Sequence, residues 1–208
     1  MQFSNFWFET GTVVVSFIMG GILVFMTNIK KMIKPTENTP LIVDCNKLNK
    51  ENSRINEILT ELRIVSNCNR ASISQFHNGG HFLDGSSMLK SSITHESCDI
   101  LTLPTIHDYQ GSLLSRFTTL MNILHKNDIS IQYVRDMKNS LCKYVMESKG
   151  VEVFAIISIH SLDGLNVIGY VSVEWTDVDS KINNDLVHKQ MLESQRLLQI
   201  FLNTKKGF

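Results

Sequence analysis

Several features are scarce or missing in these 208 residues, and each absence excludes something. There is no CxxC pair among the four cysteines, Cys45, Cys68, Cys98 and Cys142, so a zinc ribbon or a redox dithiol has no local signature. Nor is there a GxSxG elbow, an HExxH pair or a GxxxxGK[ST] loop, which removes the common hydrolase, metalloprotease and phosphate-binding motifs. Lys+Arg and Asp+Glu are both 20, and setting aside Lys30, Lys31 and Lys34 leaves a slightly acidic remainder. A nucleic-acid binder normally carries a basic surplus, so no nucleic-acid partner is expected. Only three prolines occur, Pro35, Pro40 and Pro104, and no Lys or Arg precedes residue 30.

What is present begins with an uncharged run from Thr10 to Ile29, bounded by Glu9 and Lys30-Lys31. At about 1.5 Å per residue, roughly 20 apolar residues in a helix cross the hydrocarbon core of a bilayer. Phe3, Phe6, Trp7 and Phe8 sit just before it, where aromatic side chains favour the membrane interface. A cleaved signal peptide would need a basic start, which is lacking. Residues 1–30 therefore read as a retained transmembrane anchor, and residues 31–44, with two prolines, as a juxtamembrane linker. The one-sided lysines place the N-terminus outside and the domain in the cytoplasm by the positive-inside rule. Unpaired, partly buried thiols suit that compartment.

Residues 45–204 read as one α+β domain. Leu48, Ile55 and Leu62 recur every seven residues with Ile58 and Val65 between them, a helix over 44–66 interrupted by Glu51. Its stripe would pack on the domain's own sheet, on a second copy, or on both. Ala71–Phe76 alternates as a strand and runs into the turn-rich segment 77–87, followed by a strand over 88–94. After an irregular section, Leu113, Phe117, Leu120, Met121 and Leu124 predict a helix starting near Tyr109. A strand over 129–134, a short helix over 139–149 closed by Gly150, and a hairpin of 151–160 with 167–175 come next. A final helix over 180–204 carries Val187, Met191, Leu198 and Phe201 on one stripe.

The densest polar constellation is His77, Asn78, His81, Asp84, His95 and Glu96, with Cys98 beside it. The exits of the first two strands would bring it to one end of the sheet. Such side chains suit a small-molecule pocket or a transition metal, or they form an exposed loop whose histidine is satisfied by backbone. Small-molecule binding at these six residues is the expectation adopted. No catalytic residue and no resident metal are assigned, and the cofactor is left unknown.

Element order, together with Val153–Ile159, the Asp163-Gly164 turn and Val167–Val173 with Gly169 at the start of a small-residue segment, resembles the GAF superfamily of sensory domains. The phrase Gln75–His81 is similar to one in uncharacterised, often phage-encoded GAF-like proteins. The resemblance implies a central antiparallel sheet packed by helices, and often a homodimer through the first and last helices. It also implies a ligand among cyclic nucleotides, tetrapyrroles, small metabolites or metals. The cyclic-nucleotide pattern Asn-Lys-x-Phe-Asp-Glu is absent, and no cysteine stands in a bilin-attachment context. With Lys205–Phe208 following the last helix, no output domain is expected, so a protein partner or self-assembly would carry the signal. Two rivals follow from layout and composition: a holin-like membrane-active protein of phage type, disfavoured by the charge order, and a metal-binding regulator.

Overall fold

Alternation in one strand sets the layering. Along Arg70–His81 (β1), Ala71 and Ile73 face one way while Ser72 and Ser74 face the other, and all four are buried. The sheet is therefore covered on both sides, as period-two patterning with no exposed face requires.

The computed structural model describes residues 45–126, 128–177 and 182–204. Helix α1 (Cys45–Val65) leads into β1, and β2 (Ser87–Cys98) returns beside it. A two-residue strand β3 (Ser112–Leu113), a 3-10 turn at Leu114–Arg116, α2 (Thr118–Leu124) and β4 (Ser130–Tyr133) follow. After a second 3-10 turn come α3 (Leu141–Ser148), the hairpin β5 (Val153–His160) and β6 (Val167–Trp175), and α4 (Asn184–Thr204). The sheet order is β3-β2-β1-β6-β5-β4, every pairing antiparallel.

Helix α1 buries Ile55, Ile58, Leu59 and Leu62, spaced as one helical stripe, and α4 buries Val187, Met191, Leu198 and Leu202. Both stripes meet Ala71, Ile73, Val171, Val173 and Trp175 in one apolar core. The buried part of each stripe is used within one chain, whereas Leu48 of the α1 stripe and Leu197 and Ile200 of α4 remain exposed. Each such side chain removed from water contributes about 1.5–3 kcal/mol before entropy is counted. Helix α1 stops because Asn67 takes a left-handed φ of 48°, letting Cys68 N–H bond back to the Arg63 carbonyl at 3.1 Å. The opposite side of the sheet is covered by α2 and α3, whose Leu120, Leu124, Cys142 and Met146 pack on Phe154 and Ile156. Ser140 caps α3 by accepting Lys143 N–H, and Gly150 ends it at φ +67°, as its position in the sequence predicts.

Two elements differ from expectation. The turn-rich segment after Phe76 does not leave the sheet: β1 pairs with β2 to Asn78, is irregular at Gly79-Gly80 and pairs again at His81, although pairing with β6 ends at Gln75. The helix expected from Tyr109 is only Thr118–Leu124. Leu113 and Leu114 reach the same side of the domain through a strand end and a 3-10 turn, following Gly111 at φ +64°. Among the described residues no helix is long and apolar enough to cross a membrane. The expected anchor at 1–30 and its linker at 31–44 lie outside the described residues.

Candidate functional site

The six residues singled out by sequence divide into two groups. Antiparallel pairing puts the exit of β1 beside the start of β2, so the two exits lie at opposite ends of the hairpin. His77 is therefore opposite Lys90 and His81 opposite Ser87, whereas His95 is opposite Ile73 and Glu96 opposite Ser72. This corrects the expected convergence. His77, Asn78, His81 and Asp84 are exposed, and two of them shape the turn. Asn78 Oδ1 accepts Gly80 N–H at 3.0 Å, and Asp84 accepts from the Ser86 amide and hydroxyl at 2.9 and 2.6 Å. Those bonds hold the Asp84 carboxyl below the usual range. His95 places Nε2 3.2 Å from Asn52 Oδ1 on α1. Among the described residues, no three His, Cys, Asp or Glu side chains converge as a metal site would require.

Glu96 belongs to a different and larger assembly. Its carboxylate accepts Thr105 N–H, Thr105 O–H and Ile106 N–H at 2.8, 2.8 and 3.0 Å, and lies 3.3 Å from Arg70 Nε. Arg70 Nη1 donates to Glu174 Oε2 at 2.5 Å, and Lys149 Nζ pairs with Glu174 Oε1. All four side chains are nearly inaccessible, and two carboxylates balance two cations. Burial opposes the charge on Glu174, but Lys149 and Arg70 outweigh it and hold the carboxyl below its usual value. Burial likewise opposes the charge on Arg70, and Glu174 overcomes it.

Beside this cluster the sheet and helices α2 and α3 leave a cavity of about 60 Å³. Its floor is Ser72, Ser74, Ser91 and Ser172, with Tyr170 and Glu174 at the side. Its roof is apolar: Leu114, Phe117, Leu120, Val145 and Met146. Ser72 and Ser172 share a hydrogen bond of 2.8 Å across the β1–β6 pair. Burial raises the Tyr170 phenol, which bonds Ser74 and Ser91, so it stays protonated. Lys149 Nζ also sits 5.4 Å from the centre of the Tyr109 ring, tying the end of α3 to the loop after β2. Gly169 lets β6 approach β1 closely beside the cavity: a Cβ there would meet the Ser74 carbonyl at 2.3 Å. Cys142 lines the cavity too, but burial pushes its thiol up to about 11, which suppresses the thiolate needed for attack. Hydroxyl groups thus line one side of this space and apolar side chains the other.

Sequence reasoning missed Arg70, Lys149, Glu174 and the serine floor. The signal was available: Glu174 is a lone charge between Val173 and Trp175, and serines alternate with Ile73.

Solved structures resemble this chain over most of its length. The photoproduct state of GAF3 from Slr1393 of Synechocystis sp. PCC6803 superposes with a TM-score of 0.56 at 11% identity, covering 75% of this chain and 95% of that one. The phycocyanobilin-bound GAF domain of a cyanobacterial phytochrome gives 0.54 at 16% identity, with 78% and 92% covered. The fold is GAF-like. The blue-light absorbing form of the Thermosynechococcus elongatus PixJ GAF domain agrees, at 0.51 and 11%, with 79% and 96% covered. No protein-family profile and no curated protein matches the sequence. The GAF-like likeness thus extends to architecture, and the chemistry must be read from these side chains.

Proposed function

We propose that this chain is a membrane-tethered regulatory module whose GAF-like domain holds a compact small molecule in the serine-floored cavity. One observation carries the reading: the central strands place hydroxyls where the other face of the same strands places Ile73, Val171 and Val173. Buried hydroxyls weaken a fold unless hydrogen-bonded, and these bond one another across the strands, so the floor is stable when empty. Its polar edge beneath an apolar roof suits an amphipathic guest. Neighbouring GAF structures are described with bound phycocyanobilin and biliverdin. A cavity of about 60 Å³ has room for roughly four to six waters. The guest here is therefore much smaller than a tetrapyrrole. It is a molecule of few heavy atoms with donors and acceptors on one edge.

The charge asymmetry around residues 10–29 supports placing the domain on the cytoplasmic side, and a protein partner or a neighbouring copy would read the bound state. A thermal-shift screen of compact metabolites (amino acids, nucleobases and small polyols) at millimolar concentration tests the ligand. A hit should raise Tm in the parent and leave Ser74→Leu, which fills the cavity, unmoved. A shift retained in Ser74→Leu would place the ligand elsewhere. A reporter fused after Phe208 tests the topology, and an external C-terminus would sink the cytoplasmic reading.

A further inference from the structure

The charges beside the cavity constrain what can enter it. Arg70 and Lys149 balance Glu96 and Glu174, and each of these side chains is at most 6% exposed. Lys149 and Glu174 also line the cavity, and no other lining side chain is a Lys, Arg, His, Asp or Glu. A guest of either sign would give up its hydration for a site whose charges already cancel.

Charge balance is complete there, but hydrogen bonding is not. An ammonium carries three N–H donors. Glu174 accepts one from Lys149, the Tyr109 ring centre lies 5.4 Å from Nζ, and no other oxygen among the described residues accepts from it. Lys149 follows directly on α3, on the roof side, whereas the serines stand on the sheet. Each hydroxyl offers one donor and two acceptor positions. The Ser72–Ser172 pair and the group of Tyr170, Ser74 and Ser91 therefore keep lone pairs beyond those they use on one another. The cavity thus presents a donor on one side and acceptors on the other.

We infer that the guest is an uncharged amide, whose carbonyl oxygen accepts from Lys149 and whose N–H donates to a floor hydroxyl; this rests on the reading above that the cavity binds a compact molecule. A carbonyl suits Lys149 better than an alcohol does. It brings no hydrogen of its own to be left unpaired against Val145 and Met146. Small lactams and cyclic imides carry the same two groups and belong to the same class.

Acetamide, acetate and acetamidinium test the inference, being alike in shape and respectively neutral, anionic and cationic. Titrated against the full chain in mild detergent and followed by saturation-transfer NMR, acetamide should bind about tenfold more tightly than either ion. Ser74→Leu should abolish the signal of all three. Lys149→Met leaves the cluster with a surplus negative charge, so acetamide should weaken about tenfold and acetamidinium become the best of the three. Glu174→Gln leaves a positive surplus and should favour acetate, which keeps the test decisive should Lys149→Met unfold. A merely structural Lys149 would change all three affinities together. An ion that matches acetamide in the parent, or unchanged selectivity in the variants, would overturn the inference and leave the cavity a binding site. Binding of none of the three also overturns it, and the metabolite screen then decides the cavity separately. Binding that survives Ser74→Leu removes both readings.

Discussion

The two faces of the central sheet are made by alternate residues of the same strands, yet they follow different rules. Toward α1 and α4, Ala71, Ile73, Ile157, Val171, Val173 and Trp175 form a filled apolar core. Toward α2 and α3, Ser72, Ser74, Ser172 and Glu174 leave space and place charge in the interior. The first face pays for the second. Close packing on one side lets the other keep hydroxyls, a cavity and a neutral ion cluster without losing the sheet.

The largest test of that contrast is Glu174→Ala. It leaves Arg70 and Lys149 buried without their shared partner, which typically costs about 3–5 kcal/mol. Urea denaturation would measure it, and a cost as small as that of an exposed substitution would break the comparison. On the opposite face Ile73→Ala should lose about 2–5 kcal/mol through a cavity. Its loss should be independent of pH, whereas that of Glu174 should not.

The pH profile sharpens the same distinction. The folded Glu174 carboxyl titrates below its unfolded value of 4.5, so its stabilisation is complete above that pH and is lost as pH falls through the folded pKa. Glu174→Gln should flatten the acid limb of a stability–pH curve. At the alkaline limb the thiols act with the opposite sign. Burial raises Cys68 from 9.0 to about 12 and Cys142 to about 11, so stability is held below pH 9 and declines above it. The smallest effect belongs to the serine pair. Ser72→Ala or Ser172→Ala alone should cost about 1 kcal/mol by orphaning a buried hydroxyl, and the double variant little more than either. Additive losses would show that the two hydroxyls do not depend on each other.

The parts of this fold legible in the sequence are those built from one local period. Helices α1 and α4, the β5–β6 hairpin and the Gly150 stop all announce themselves within a dozen residues. The segment from Tyr109 misleads because helical spacing of Leu113, Phe117 and Leu120 is met by a bridge strand, a 3-10 turn and one short helix in succession. Gly79-Gly80 misleads because glycine and asparagine suit turns, while here the two glycines form an irregularity between the Asn78–Leu89 and His81–Ser87 pairs and the strand runs on past them. The candidate site was the harder problem. Glu174 meets Arg70 across 104 residues of chain, and nothing short-range forecasts that meeting. His77 and His95 show the converse, since strand direction separates residues that composition groups together.

The length of β1 has one more consequence. Residues 70–75 are hydrogen-bonded on both sides, to β2 and β6, whereas residues 76–81 pair with β2 alone. Beyond the short β3 pairing at Lys90 and Ser91, the tip from Asn78 to Leu89 is a two-stranded ribbon. Such a ribbon is marginally stable in water, and its amides open without the rest of the domain. One continuous strand therefore keeps two clocks. Amide hydrogens near Ile73 should exchange only through global unfolding, while those near Asn78 should exchange on the faster timescale of local fraying.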